Sequence, residues 1–156
     1  KHALQFNRVL AKFSPQAAIN MIQVTEIGPD TIIDLQERIE RGEWVAIAGD
    51  RTPVQGDQRI STASFLGQQA GFPQGPYILA SLLKCPLYHM TCAKRDDGVR
   101  EVVFDRIAEQ VKRNRSRDGD NGLGKYVAHY AELLERLCKT YPYQWYNFYD
   151  FWSQGR

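Results

Sequence analysis

The sequence predicts an α/β domain, a mixed sheet flanked by helices, and three observations carry that prediction. Helical and extended patterns alternate from the start of the chain, which favours a sheet with covering helices over a bundle. An apolar run, Trp44-Val-Ala-Ile-Ala48, discharges into the polar loop Gly49-Asp50-Arg51-Thr52-Pro53, as a buried strand does at the carboxyl edge of a sheet. Asp97-Gly98 between two apolar runs is a hairpin signature. The 156 residues fit one domain, 1–156, with a sizeable core, since 43% of them are apolar and 12% aromatic.

Taken in order, Leu4, Phe6, Val9, Leu10 and Phe13 form the apolar stripe of a first helix, which Ser14-Pro15 ends. Met21–Val24 reads as a strand. Pro29 or Asp30 starts a helix with inward positions Ile32, Leu35 and Ile39, and Gly42 stands just past its end, where a left-handed residue closes a helix. Residues 44–48 are then the buried strand that delivers Asp50 and Arg51. The plain alternative for those two is a loop pair in which each neutralises the other.

Alternation predicts a strand over Arg59–Leu66. Phe72-Pro-Gln-Gly-Pro76 is a rigid turn that places Pro76 at the first position of a short buried helix, Tyr77–Leu83, ending at Lys84 before Cys85-Pro86. Leu87–Ala93 and Val99–Phe104 are strands joined at Arg95–Gly98. Lys112–Gly124 is the most polar stretch: either a solvated loop or a basic surface for anionic lipid or an acidic partner. A long helix follows, with Leu123, Tyr126, Val127, Tyr130, Leu133, Leu134 and Leu137 on one face, and Tyr141-Pro142 stops it. The tail, residues 143–152, holds seven aromatics. It reads either as a plug that closes the core or as amphipathic rings for a membrane interface or an acyl-chain site, with the plug favoured because a short terminal segment needs an anchor.

Composition narrows the chemistry. A net charge of +2 is too mild to argue for nucleic acid. Cys85, Cys92 and Cys138 show no CxxC spacing and are read as buried thiols of a reducing compartment, not as disulfides or metal ligands. No apolar run approaches the ~18 residues of a membrane-spanning helix, and no phosphate-binding loop, dinucleotide fingerprint, HExxH or GxSxG motif occurs. His89, in a strand, and His129, on the long helix, read as structural. No cofactor or metal is expected.

Three segments together, GEWVAIAGDRTPV, ASFLGQQAGFPQGPYILASLLKCPLY and YPYQWYNFYDFW, resemble the bacterial lipid A biosynthesis acyltransferase family, in the branch related to its lauroyl and myristoyl transferases. The resemblance covers nearly the whole chain, and KHALQFNRVL fits the segment after the catalytic block. It implies a glycerolipid-acyltransferase-like fold of which this chain is the carboxyl-terminal portion. The activity implied is acyl transfer from an acyl carrier protein thioester to a hydroxyl of a lipid or glycolipid, at the cytoplasmic face of the bacterial inner membrane, with peripheral membrane contact. The family's base is a His with a carboxylate about five residues on; here His2 is followed at that spacing by Asn7, so the catalytic pair is expected upstream of Lys1. The substrate-binding candidates are Asp50 and Arg51, the second cation Arg59, Gln74 and Gly75 of the turn, and Asn7. Arg51 suits a phosphate or carboxylate because its planar fork makes two-point contacts, which Asp50 can orient. The alternative is a lipid- or carrier-protein-binding module without catalysis.

Overall fold

The structure, a computed structural model, describes residues 22, 27–51, 59–114 and 121–152. The first helix expected over Leu4–Phe13 and nearly all of the strand at Met21–Val24 lie outside the described residues, as does Asn7. The chain divides into two compact units, Lys1–Trp44 and Val45–Arg156.

In the first unit, helix α1 spans Pro29–Glu40. Pro29 opens it, the position where a missing N–H is harmless, and the Gly28 N–H donates to Thr31 Oγ1 at 3.4 Å. Leu35 is buried, and Arg38 is bonded to Asp34 one turn back at 2.9 Å. The helix ends as its sequence indicates: Gly42 takes φ +86° and returns its N–H to the Ile39 carbonyl at 2.9 Å.

The buried strand expected at residues 44–48 does not form. These residues pair in no sheet among the described residues, and Trp44 is 75% exposed, with Val45 and Ile47 also outside the core. An apolar run becomes a strand only where another strand satisfies its backbone groups, and the described residues place no strand beside this one. Asp50 and Arg51 therefore do not stand at the carboxyl edge of a sheet.

The second unit is built from two antiparallel hairpins laid against one helix. Strands β1 (Ile60–Phe65) and β2 (Gln68–Pro73) pair from Ile60 opposite Pro73 to Phe65 opposite Gln68. Their two-residue turn, Leu66-Gly67, has both φ values positive, +50° and +83°, the mirror-image turn that matches strand twist. Helix α2 (Gly75–Leu83) follows at once. Pro76 is its second residue, one later than expected, because Phe72 and Pro73 extend β2 and only Gln74 remains as the link. Its Pro76, Tyr77, Leu79, Ala80 and Leu83 are buried, and Lys84 closes it at φ +52°.

Strands β3 (Leu87–Lys94) and β4 (Arg100–Ala108) form the second hairpin, with a register shift at Leu87/Tyr88 and Gly98 at φ +84° in the turn. Helix α3 (Gly124–Thr140) packs on β1 and on the β3–β4 hairpin. The core gathers where they meet: Phe65, Phe72, Tyr77, Leu123, Val127 and Phe151 are wholly buried. Among the described residues the class is thus a mixture of three helices with two small antiparallel sheets, in place of one mixed sheet. No helix of the described residues is long and apolar enough to cross a membrane.

Candidate functional site

Asp50 and Arg51 owe their placement to the far end of the chain. Trp145 Nε1 donates to Asp50 Oδ2 at 3.3 Å, and the Tyr149 hydroxyl donates to the Asp50 carbonyl at 3.1 Å. The Arg51 guanidinium carbon lies 5.8 Å from the centre of the Tyr149 ring, within range of a cation–π contact. The two side chains thus take separate aromatic partners, in place of the mutual pair that was the plain alternative. Arg51 is exposed, so its fork faces solvent while the ring limits its freedom.

The base of this site is tight. A Cβ on Gly49 would stand 2.9 Å from Tyr130 Cζ and 3.0 Å from its hydroxyl, so only glycine lets the backbone pass the ring. Tyr130 is itself held edge-on by Phe72 at 5.9 Å and by His89 at 5.1 Å between ring centres. Burial raises the Tyr130 phenol far above its ordinary value, and the nearby Asp50 charge adds to that, so it stays a neutral hydroxyl.

The aromatic tail divides into two sets. Trp145, Phe151 and Trp152 pack against Phe65, with Phe151 5.4 Å from Phe65 and from Phe72. They are the plug that the sequence suggested. Tyr143, Tyr146 and Phe148 point the other way, exposed to 92%, 68% and 90%.

The remaining candidates form a second cluster. The Gln74 N–H donates to the Arg59 carbonyl at 2.8 Å. Gln74 Nε2 donates to Ser61 Oγ at 2.8 Å and to the Ile60 carbonyl at 3.3 Å, while Asn121 Nδ2 donates to Gln74 Oε1 at 2.8 Å. With its amide engaged on both sides, Gln74 ties β1 to α2 and to the segment before α3. Gly75 meets nothing within 4 Å of where a Cβ would sit, so no close approach requires a glycine there. Arg59 is exposed at the head of β1.

His89, read as structural, is 6% exposed with Nδ1 lacking a hydrogen-bond partner. Burial lowers its pKa below the ordinary value, opposed by Asp105 across the ladder and aided by Arg136 and His129. The imidazole is thus held neutral inside the core. Of the thiols, Cys138 is buried and Cys85 half-buried, but Cys92 is exposed, contrary to expectation, because strand alternation turns it outward. The described residues hold no group of three or more His, Cys, Asp or Glu suited to a metal.

A polar groove of about 520 Å³ runs between β1 and α3, lined by Ser64, Glu132, Glu135, Arg136 and Lys139 among others. Of its charged groups, Glu135, Arg136 and Lys139 are engaged with one another or with the fold. Glu135 accepts the Leu66 N–H at 2.7 Å and a bond from Lys139, and Arg136 donates to Asp105 at 3.0 Å. Sequence reasoning had no means of finding it, since its walls come from elements some 70 residues apart. Compared with protein-family models, with curated proteins and with solved structures, the chain matches none.

Proposed function

We propose that this chain is the partner-binding part of an acyltransferase that moves an acyl group from an acyl carrier protein thioester to a hydroxyl of a lipid or glycolipid. The observation that carries the reading is the Trp145–Asp50 hydrogen bond, which spans 95 residues. It joins two of the sequence segments on which the family resemblance rests, the GDRT loop and the aromatic tail. At their junction Arg51 presents a guanidinium stiffened by Tyr149, suited to a phosphate such as that of a carrier's pantetheine arm. The base for the acceptor hydroxyl is assigned to a His–carboxylate pair outside these residues, since none of His2, His89 and His129 has a carboxylate five positions on.

A binding module without catalysis is the second reading, and one observation favours it. Asp50 and Gln74 are committed to Trp145 and to the fold, which leaves Arg51 as a binding group with no uncommitted acid or base beside it among the described residues.

Titration of the chain with an acylated carrier protein tests the assignment. Binding is expected, and Arg51→Lys, which keeps the charge but loses the planar two-point contact, should weaken it about ten- to a hundredfold with the melting temperature nearly unchanged. An Arg51→Lys protein that binds the carrier as the parent does, or a parent that does not bind it, removes the reading. Turnover of a lipid acceptor by the chain alone would reject the assignment of the base.

A further inference from the structure

Residues opposite one another in an antiparallel ladder point to the same face, so the β3–β4 register sorts the hairpin's side chains into two sets. The inner set includes the buried His89 and Ala93. On the outer face, two apolar rungs lie side by side, Met90 opposite Phe104 and Cys92 opposite Val102, and all four residues are exposed. Cations bracket them. Lys94 stands opposite Arg100 at the tip, and Arg106 lies opposite Tyr88 at the other end. The strands' own acidic residues, Glu101 and Asp105, fall on the opposite parity, so the outer rungs hold three cations and no carboxylate. Arg106 is shared with Glu109, beyond the end of β4, at 2.7 Å.

The Lys94–Arg100 rung is unfavourable on its own. Like charges directly opposite each other destabilise a ladder, yet this register is clamped: Gln144 accepts the Lys94 N–H at 2.7 Å and donates to its carbonyl at 2.6 Å. Gln144 belongs to the stretch that exposes Tyr143, Tyr146 and Phe148. Hairpin tip and exposed aromatics are therefore tied together.

We propose that the outer face of the β3–β4 hairpin docks on an anionic phospholipid surface, with Met90 and Phe104 entering the interfacial layer and Lys94 and Arg100 meeting lipid phosphates. Anions between the paired cations remove their repulsion, and apolar side chains flanked by basic ones are the composition of an interfacial anchor. A second copy of this chain fits poorly, because the outer rungs offer no carboxylate to the Lys94–Arg100 pair of the other copy, and Glu109 at the far end already serves Arg106. A lone acidic helix covers only a strip, whereas the exposed tyrosines tied to the hairpin, apolar with polar tips, suit the headgroup level of a bilayer. The proposal goes beyond acyl transfer and stands or falls separately, because its test contains no carrier protein and no turnover.

The test is sedimentation of the full chain with vesicles of phosphatidylglycerol mixed into phosphatidylcholine, against phosphatidylcholine alone. Binding only to the anionic vesicles, weakened by salt, is expected. Lys94→Gln with Arg100→Gln should lower the partition coefficient about 30-fold, from the contribution of each basic residue near such a surface. Met90→Ser with Phe104→Ser should lower it as well, and since all four positions are exposed, both double variants should keep a cooperative circular dichroism melt, that of Lys94→Gln with Arg100→Gln no lower than the parent's because the repulsive rung is gone. In a Cys85→Ser background, a fluorophore on Cys92 should be quenched by lipid-borne quenchers. Equal binding to both vesicle types, undiminished binding by the Lys94/Arg100 double variant, or an unquenched Cys92 label on bound protein overturns the proposal. So does protection of Cys92 by an acidic helical peptide when anionic vesicles give none.

Discussion

Replacing Phe151 with alanine separates the two roles of the aromatic tail. Phe151 is fully buried, and its ring centre lies 5.2 Å from Trp145, 5.4 Å from Phe65 and Phe72, and 5.9 Å from Trp152. Truncating such a side chain removes its transfer energy and leaves a cavity that four rigid rings cannot collapse into, so the loss belongs in the range of about 3–5 kcal/mol. A small domain has only about 5–15 kcal/mol in total. With a urea m-value of about 1–3 kcal/mol/M, the unfolding midpoint should fall by roughly 2 M, and Phe151→Leu, which keeps most of the volume, should recover more than half of that. Phe148 is the control, three residues away and 90% exposed. Phe148→Ala should change stability by less than about 0.5 kcal/mol. Urea titrations followed by tryptophan fluorescence and by circular dichroism measure all three. If Phe151→Ala loses less than about 1 kcal/mol, or Phe148→Ala loses as much as Phe151→Ala, the tail is not the plug described above.

Two further substitutions probe the junctions around that core. Gly49→Ala puts a methyl group 2.9 Å from a Tyr130 ring that Phe72 and His89 hold in place, so it should cost about 1–3 kcal/mol and alter Trp145 fluorescence by shifting Asp50. Glu135 has its carboxyl held below the ordinary 4.5, first by the Lys139 hydrogen bond and then by the Leu66 N–H. A depressed folded pKa means that its contribution is complete above about pH 4.5 and is lost as pH falls through the folded value. Glu135→Gln should therefore flatten the acid limb of a melting temperature against pH curve and lower stability slightly at pH 7; an unchanged acid limb would show that Glu135 is not so held.

Most helices and one hairpin were legible because local chemistry and the fold agree there. Gly42 and Lys84 close helices at positive φ, Asp97-Gly98 turns the β3–β4 hairpin, and Tyr126, Val127 and Leu134 repeat at the helical period on the face that α3 buries. Strand β2 carried no such mark. Gln68-Gln-Ala-Gly-Phe-Pro73 lacks β-branched residues, and Leu66-Gly67 is not the Asn-Gly pair that usually makes its turn. Leucine at φ +50° is costly, and what holds it is distant: Glu135 of α3 accepts the Leu66 N–H, and the side chain packs on the core. A turn stabilised from 69 residues away cannot be found in a local window.

The same separation explains why the candidate site was half legible. The residue types at 50 and 51 raised the expectation of an anion site, because a guanidinium beside a carboxylate that can orient it suits one. Their setting was not legible, since the run at 44–48 is apolar without forming a strand among the described residues, and apolarity alone cannot distinguish a strand from a segment left outside the core. The actual support is Trp145 and Tyr149, whose side chains do with one hydrogen bond each what a sheet edge was expected to do. This changes the consequence of substitution. A residue at a strand end is held by its backbone ladder and survives loss of its side chain; Asp50 is held through its carboxylate and carbonyl by two rings of the tail. Damage to the plug should therefore reach Arg51 as well, so a tail variant that still folds should present the cation less firmly than the parent does.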